Sequence, residues 1–175
     1  MSNLKSRHVK KMNIVTKHIT IANEVLTLTN QRAIFWESLN ALILSDIHIG
    51  KTAHFRKHGI PMPDAILQKD LIRLKELILH FKVNKLFIVG DLFHAETNSD
   101  METFETWLNQ FENLQITLIK GNHDRQSKHI VNTLNIRVVK ELVLRPFTFT
   151  HEPRTNNKTD SFTISGHLHP GVLIK

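Results

Sequence analysis

Cysteine is absent from the 175-residue chain, which excludes disulfide bonds and thiolate metal ligands. Any bound metal must therefore be held by nitrogen and oxygen atoms. No apolar run approaches the roughly 18 residues that span a bilayer, so we expect no transmembrane helix and no membrane partner. The N-terminal stretch is basic but lacks the apolar segment of a secretory signal. Together these absences lead us to expect a cytoplasmic protein.

Acidic residues are missing from positions 1–17, where five lysine and arginine side chains give a charge of +5. Only +2 of the total charge of +7 therefore belongs to the rest of the chain. We divide the sequence into a basic leader, residues 1–17, and one domain, residues 18–175, a length that can bury a core. The leader is either an arm that contacts a polyanion or a solvated terminus.

Short apolar runs alternate with helical periodicity in the middle of the chain. A continuous apolar run, typical of a strand buried on both faces, occupies residues 41–44, and two further buried strands are predicted at residues 85–89 and 116–119. Helical spacing covers residues 66–81, after a candidate N-cap at Asp64, and residues 101–111. This order predicts an α/β fold with parallel strands joined by helical crossovers.

Weaker signals flank this central part. Shorter β-rich segments occupy residues 19–28, 33–36, 136–139, 142–144, 147–150 and 162–165. A further helix is expected between residues 125 and 134. Residues 51–63 contain a glycine and two prolines, and we expect them to form a loop.

Metal-binding residue types directly follow the three central strands. Asp46 and His48 follow the first, Asp91 the second, and Gly121-Asn122-His123-Asp124 the third. In such sheets ligands bind outside the carboxyl ends of the strands. His151 and Gly166-His167-Leu168-His169 add imidazoles later in the chain.

Each of these fragments taken alone is ordinary. Asp-x-His and Gly-Asp occur in turns and caps, and a lone histidine is often structural. The five fragments in this order, however, indicate a two-metal phosphoesterase centre. Imidazole, carboxylate and amide ligands suit Mn²⁺, Zn²⁺ or Fe, whereas Mg²⁺ sites seldom use several imidazoles. We expect two divalent ions, with Mn²⁺ as the first candidate.

The motifs resemble the calcineurin-like metallophosphoesterase superfamily. Longer stretches resemble one bacterial subfamily, PdeM, the ligase-associated DNA damage response endonucleases; they cover residues 45–56, 59–63, 90–94, 121–125, 151–153 and 166–171. The resemblance implies a four-layer α/β/β/α sandwich, in which two mixed sheets are flanked by helices. Family members continue past the point where this chain ends, at Lys175, so we expect it to lack C-terminal strands of the second sheet.

The resemblance also assigns a role to each motif residue. It implies a first metal held by Asp46, His48 and His169, a second held by Asn122, His151 and His167, and Asp91 as the bridge between them. It implies that His123 is the catalytic acid and that Asp124 holds it. His94 matches a histidine near the leaving group in Mre11-type nucleases, or is an ordinary loop residue. Arg56 and Arg125 either hold phosphate or form surface ion pairs.

The implied activity is a metal-dependent phosphodiesterase, a DNA endonuclease acting in repair. Single-stranded DNA is the expected substrate, and a ligase, a nuclease and a helicase are the expected partners. A homodimer would cover the sheet edge that missing strands leave exposed. The alternative is a small-substrate enzyme that hydrolyses a phosphomonoester, a dinucleotide or a lipid-linked pyrophosphate. A binding module without catalysis is disfavoured because all seven ligands and His123 are present.

Overall fold

The computed structural model describes residues 12–63, 65–94, 99–126, 128–153 and 162–168. Three of the features expected from the sequence therefore lie outside the described residues: most of the basic leader, the N-cap at Asp64 and the ligand His169.

Seven strands form one mixed sheet, with neighbours in chain order. They are β1 (Thr16–Ile21), β2 (Glu24–Thr29), β3 (Ile34–Trp36), β4 (Ala41–Leu44), β5 (Lys85–Val89), β6 (Gln115–Ile119) and β7 (Arg137–Val139). The pairs from β1 to β4 are antiparallel, and those from β4 to β7 are parallel. Because β4, β5 and β6 run in one direction, their carboxyl ends meet at one edge of the sheet.

A second, smaller sheet contains β8 (Leu142–Leu144), β9 (Phe147–Thr150) and β10 (Phe162–Ser165), with β9 in the centre. β9 pairs with β10 in parallel and with β8 in antiparallel orientation, so this sheet is also mixed. The prediction of two mixed sheets with helices is confirmed. Within the described residues, the helices, the seven-stranded sheet and the three-stranded sheet form three of the four expected layers.

The central strands are apolar on both faces because each face packs on a different layer. Leu86 and Ile88 of β5 join the core formed with the helices, and Phe87 and Val89 join the core formed with the second sheet. Burying each such side chain contributes about 1.5–3 kcal/mol. This two-sided burial fixes the strand ends from which the polar loops leave.

The helices are α1 (Lys51–Lys57), α2 (Ala65–Phe81), α3 (Ser99–Leu108) and α4 (Lys128–Thr133), with a 3-10 turn at His123–Gln126. The prediction of a loop over residues 51–63 is wrong in its first half. α1 starts after Gly50, whose φ is 91°, and ends before Gly59 and the two prolines that suggested a loop. Within the described residues, no helix is long and apolar enough to cross a membrane.

Two boundaries near the N-terminus also differ from the sequence prediction. The β-rich run 19–28 is a hairpin, because Ala22 and Asn23 form a two-residue turn with φ of 48° and 66°. The structured part begins before residue 18, since β1 starts at Thr16. The Met12 backbone N–H also donates to Glu76 Oε2 at 3.0 Å, which ties the preceding segment to α2.

Candidate metal centre

The loops after β4 and β5 continue side by side beyond the ends of their strands. The Asp46 N–H donates to Gly90 O at 3.0 Å, and the His48 N–H donates to Asp91 O at 2.9 Å. Asp46, His48 and Asp91 all adopt left-handed backbone conformations, with φ of 55°, 55° and 51°. Asp and His enter this region more often than most residues, but the conformation still costs about 1–3 kcal/mol. The backbone bonds therefore hold three candidate ligands in strained positions beside one another.

Asp91 lies at the centre of the cluster and is only 4% exposed. Its Oδ2 is 3.7 Å from His48 Nε2 and 3.3 Å from His151 Nε2. Its Oδ1 accepts the His123 backbone N–H at 3.0 Å, which fixes the carboxylate plane. One carboxylate oxygen therefore faces histidines that come from two different loops.

Two groups of potential ligands share Asp91. The first contains Asp46, His48 and Asp91, and the second contains Asp91, His151 and His167. In each group the ligand atoms lie within 4.8 Å of one another. Asp46 Oδ1 is buried and has no hydrogen-bond partner among the described residues, an arrangement that is costly unless another group satisfies it. The donor set therefore fits a pair of divalent ions with a shared carboxylate.

Hydrogen bonds to backbone carbonyls orient two of the imidazoles. His48 Nδ1 lies 3.0 Å from Asp46 O, and His151 Nδ1 lies 3.1 Å from Val89 O. Because a carbonyl oxygen only accepts, each Nδ1 carries the proton and each Nε2 presents its lone pair towards Asp91. His167 Nδ1 is 3.2 Å from His151 Nε2. Two nitrogens bound to one ion at about 2.0–2.1 Å would be roughly that far apart.

Asn122 is held by Glu152, a residue to which neither the sequence pattern nor the resemblance assigned a role. Its Nδ2 donates to Glu152 Oε1 at 3.0 Å. A carboxylate can only accept, so the amide NH₂ must face Glu152 and the amide oxygen remains for a metal. The motif His151-Glu152-Pro153 thus contains a candidate ligand and the partner that fixes a second candidate ligand.

Asp124 joins two of the ligand loops through their backbones. Its carboxylate accepts N–H bonds from Asp91 at 2.9 Å, Phe93 at 2.9 Å and Gly121 at 2.8 Å. Burial raises the pKa of Asp124, and these N–H bonds oppose that rise. The resemblance implies that Asp124 holds His123, which stays a prediction; in addition, the contacts of Asp124 join the loops that follow β5 and β6.

His123, His94 and His48 form a cluster of rings beside Asp91. The ring centroid of His94 is 4.9 Å from that of His123 and 5.7 Å from that of His48. Burial, followed by the charges of neighbouring groups, lowers the pKa of His94 to about 4, so this ring is neutral near pH 7. Burial and the nearby Lys51 ammonium also lower the pKa of His48, which favours the neutral form that binds metals.

Arg56 and Arg125 were both candidates for binding phosphate, but the structure describes the side chain of Arg56 alone. Arg56 Nη2 lies 3.6 Å from Asp100 Oδ1, a contact that supports the ion-pair reading of this residue. The side chain of Arg125 lies outside the described residues. The prediction of a loop over residues 51–63 gave no indication that Lys51 and His54, at helical spacing i and i+3, share one side of α1.

Two glycines allow the loops to approach closely. Gly90 has a φ of 86°, and a Cβ at this position would overlap the His151 ring. A Cβ at Gly121 would overlap the Asp91 carboxylate. The Gly-Asp and Gly-Asn pairs of the sequence therefore reflect space needed by candidate ligands, in addition to turn formation.

The family model described as "Calcineurin-like phosphoesterase" matches residues 39–171. A comparison with curated proteins finds no match. Among solved structures, the chain is similar to a nuclease, MPE, from Pseudomonas putida. The identity is 32%, the TM-score is 0.76, and the alignment covers 89% of this chain and 74% of that one. The chain belongs to the calcineurin-like phosphoesterase family, which comprises metal-dependent hydrolases of phosphoester bonds.

Proposed function

We propose that this protein is a dinuclear-metal phosphodiesterase that cleaves DNA as an endonuclease. The observation that carries the proposal is the position of Asp91 Oδ2, which faces His48 Nε2 at 3.7 Å and His151 Nε2 at 3.3 Å. A carboxylate shared by two ligand groups is what a pair of adjacent ions requires. The choice of DNA is supported by the nuclease among the similar structures and by the motif resemblance.

The ions would be held by residues from five loops, those that follow β4, β5, β6, β9 and β10. Asp46, His48 and Asp91, with His169, would hold the first ion, and Asp91, Asn122, His151 and His167 would hold the second. When bound, the two ions would offset charge on the phosphoryl oxygens and lower the pKa of a coordinated water. Mn²⁺ is the first candidate for this donor set, and Zn²⁺ and Fe are the alternatives.

His123 is suited to protonate the leaving oxygen. Its backbone N–H is anchored on Asp91 Oδ1 at 3.0 Å, while its side chain is exposed at the mouth of the cluster. General acid catalysis of this kind contributes about 10²- to 10⁴-fold. His94, which is neutral and next to His123, can donate a hydrogen bond to the same phosphate without repelling the protonated acid.

The cellular setting belongs to the same proposal and rests on the motif resemblance. We place the protein in the bacterial cytoplasm in DNA repair, beside a ligase, a nuclease and a helicase. Its substrate is single-stranded DNA, residues 18–175 act as one domain that also includes the start of β1 at Thr16, and two copies associate.

The test compares hydrolysis of single-stranded DNA, a simple diester and a monoester by Mn²⁺-loaded protein, with metal content measured in parallel. We expect both diesters to be cleaved faster than the monoester and the protein to hold two ions. His123→Ala should retain the ions and lose about 10²- to 10⁴-fold in rate on DNA, whose leaving group needs a proton. Turnover of the monoester alone would refute the proposal and favour the small-substrate alternative.

A further inference from the structure

One face of α1 lies against the ring cluster of the metal centre. Lys51, His54, Phe55 and His58 have the spacing i, i+3, i+4 and i+7, which places them on one side of the helix. The His54 and Phe55 rings lie 5.4 Å and 6.2 Å from the His94 ring, and the Phe55 ring is stacked on it. The His58 ring lies 4.3 Å from that of His54. A row of rings therefore leads from the centre along α1; we call these four residues the α1 face.

The α1 face is basic and has no acidic residue beside it on the helix. The sequence of α1, KTAHFRK, contains no carboxylate. Lys51 is exposed, and its backbone N–H donates to His48 O at 3.1 Å, which places it at the end of the helix nearest the centre. Lys51 has no ion-pair partner in the described part of the chain.

Asp100, at the start of α3, holds α1 in place from its other side. Asp100 is 6% exposed and accepts the Ala53 N–H at 3.0 Å, while its second oxygen faces Arg56. Thr52 is buried as well. The buried carboxylate therefore engages the far side of the helix, which leaves the α1 face presented next to the centre. Such preorganisation lowers the entropy cost of binding.

We propose that the α1 face binds the single strand of nucleic acid that flanks the cleaved phosphodiester. Lys51 binds a backbone phosphate next to the scissile one, and the rings of His54 and His58 stack with neighbouring bases. A cation that follows the backbone, combined with rings that accept any base, is the combination used for single strands. Bases in a duplex are not free to stack in this way. The inference rests on the proposed function and adds to it the surface that distinguishes a polynucleotide from a small diester.

The first test measures binding of a fluorescent single strand with phosphorothioate linkages to Mn²⁺-loaded protein over a range of salt concentrations. The logarithm of the association constant falls linearly with the logarithm of the salt concentration. Lys51→Ala should make this dependence shallower by about 0.7, the value for one lost phosphate contact to a single strand. His54→Ala should weaken binding about fivefold or more while leaving the slope unchanged. Lys57→Ala is the matched control, because it removes the same charge from the same helix outside the α1 face.

The second test compares kcat/KM of each variant on single-stranded DNA with kcat/KM on a simple diester that has no flanking nucleotides. We expect Lys51→Ala and His54→Ala to lose more activity on DNA than on the diester, with metal content unchanged. Lys51→Gln should behave as Lys51→Ala does. An unlabelled duplex should compete less well than the same single strand.

Two results would overturn the inference while the proposed function stands. The first is that Lys51→Ala and His54→Ala bind the single strand with the affinity and salt slope of the wild-type protein, although the wild-type protein cleaves DNA. The other is an equal loss of binding in Lys57→Ala, which would indicate a diffuse charge effect. A wild-type protein that holds metals but cleaves neither DNA nor the simple diester would instead contradict the proposed function itself.

Discussion

Replacement of Asp124 by asparagine separates two roles that this residue could play. The side chain is 4% exposed, and its carboxylate accepts three backbone N–H bonds that join the loop after β5 to the loop after β6. Asparagine has the same shape but offers one accepting oxygen, and its NH₂ group would face backbone donors. Asp124→Asn should therefore destabilise the junction even before catalysis is considered.

The size of the effect follows from the number and type of bonds. A hydrogen bond to a charged group contributes about 1.5–3 kcal/mol, and a buried donor left without a partner costs about 1–3 kcal/mol. The amide oxygen of asparagine retains part of the interaction, and losses at neighbouring sites do not simply add. We expect the free energy of unfolding to fall by about 3–5 kcal/mol. For a chain of this length, that corresponds to a decrease in Tm of roughly 8–16 °C.

The assay is thermal and urea unfolding of metal-free wild-type protein, Asp124→Asn and His123→Ala, followed by Mn²⁺ titration of the folded proteins. His123→Ala is the control because its exposed ring can be removed without leaving buried donors unpaired. Wild-type stability in Asp124→Asn, combined with a loss of kcat equal to that of His123→Ala, would refute the structural role. Such a result would instead leave the implied role of Asp124, holding His123, as its main contribution.

Three further predictions concern the ligands and their support. Gly90→Ala should lose Mn²⁺ affinity, measured by titration, because its Cβ would displace His151; Gly59→Ala, at a φ of 78° with open space around it, should cost only about 1 kcal/mol of stability. Glu152→Ala should weaken binding of one of the two ions about 10- to 100-fold, because Asn122 loses the acceptor that fixes its amide; wild-type affinity for both ions in this variant would contradict this. Mn²⁺ at about 100 times its Kd should raise the Tm by roughly 5–10 °C over chelated protein, and an unchanged Tm would exclude specific binding to the folded state.

The positions of the ligands along the sheet could be predicted from the sequence because they follow from topology. The runs 41–44 and 85–89 are apolar at every position but one, as strands covered on both faces must be, and they are β4 and β5. Parallel strands end at the same edge, so the polar residues that follow them meet there. That rule brings Asp46, His48 and Asp91 together without any knowledge of distances.

The backbone conformation of helix α1 and of the β1–β2 turn was harder to predict, because glycine and proline, the usual signals of loops and turns, were misleading there. The prolines and Gly59 act only beyond His58, so they do not prevent the single helical segment α1 from forming before them. The turn at Ala22 and Asn23 contains neither glycine nor proline, and its left-handed backbone is visible only in the structure. In both places the backbone conformation depends on the position of each residue within the segment, which the residue composition of the segment does not specify.

Contacts between residues distant in sequence explain why the structural role of Asp124 and the ion-pair partner of Arg56 could not be predicted. The motif resemblance implied that Asp124 holds His123, but it did not indicate that the Asp124 carboxylate accepts the N–H groups of Asp91 and Phe93, more than 30 positions away. Arg56 adjoins the motifs in sequence, yet Asp100 approaches it from α3. In both cases a buried carboxylate joins segments that carry candidate ligands or substrate contacts. These carboxylates accept backbone N–H groups, and Asp100 also faces Arg56. In the described part of the chain, they therefore position the candidate ligands without forming hydrogen bonds to the ligand side chains themselves.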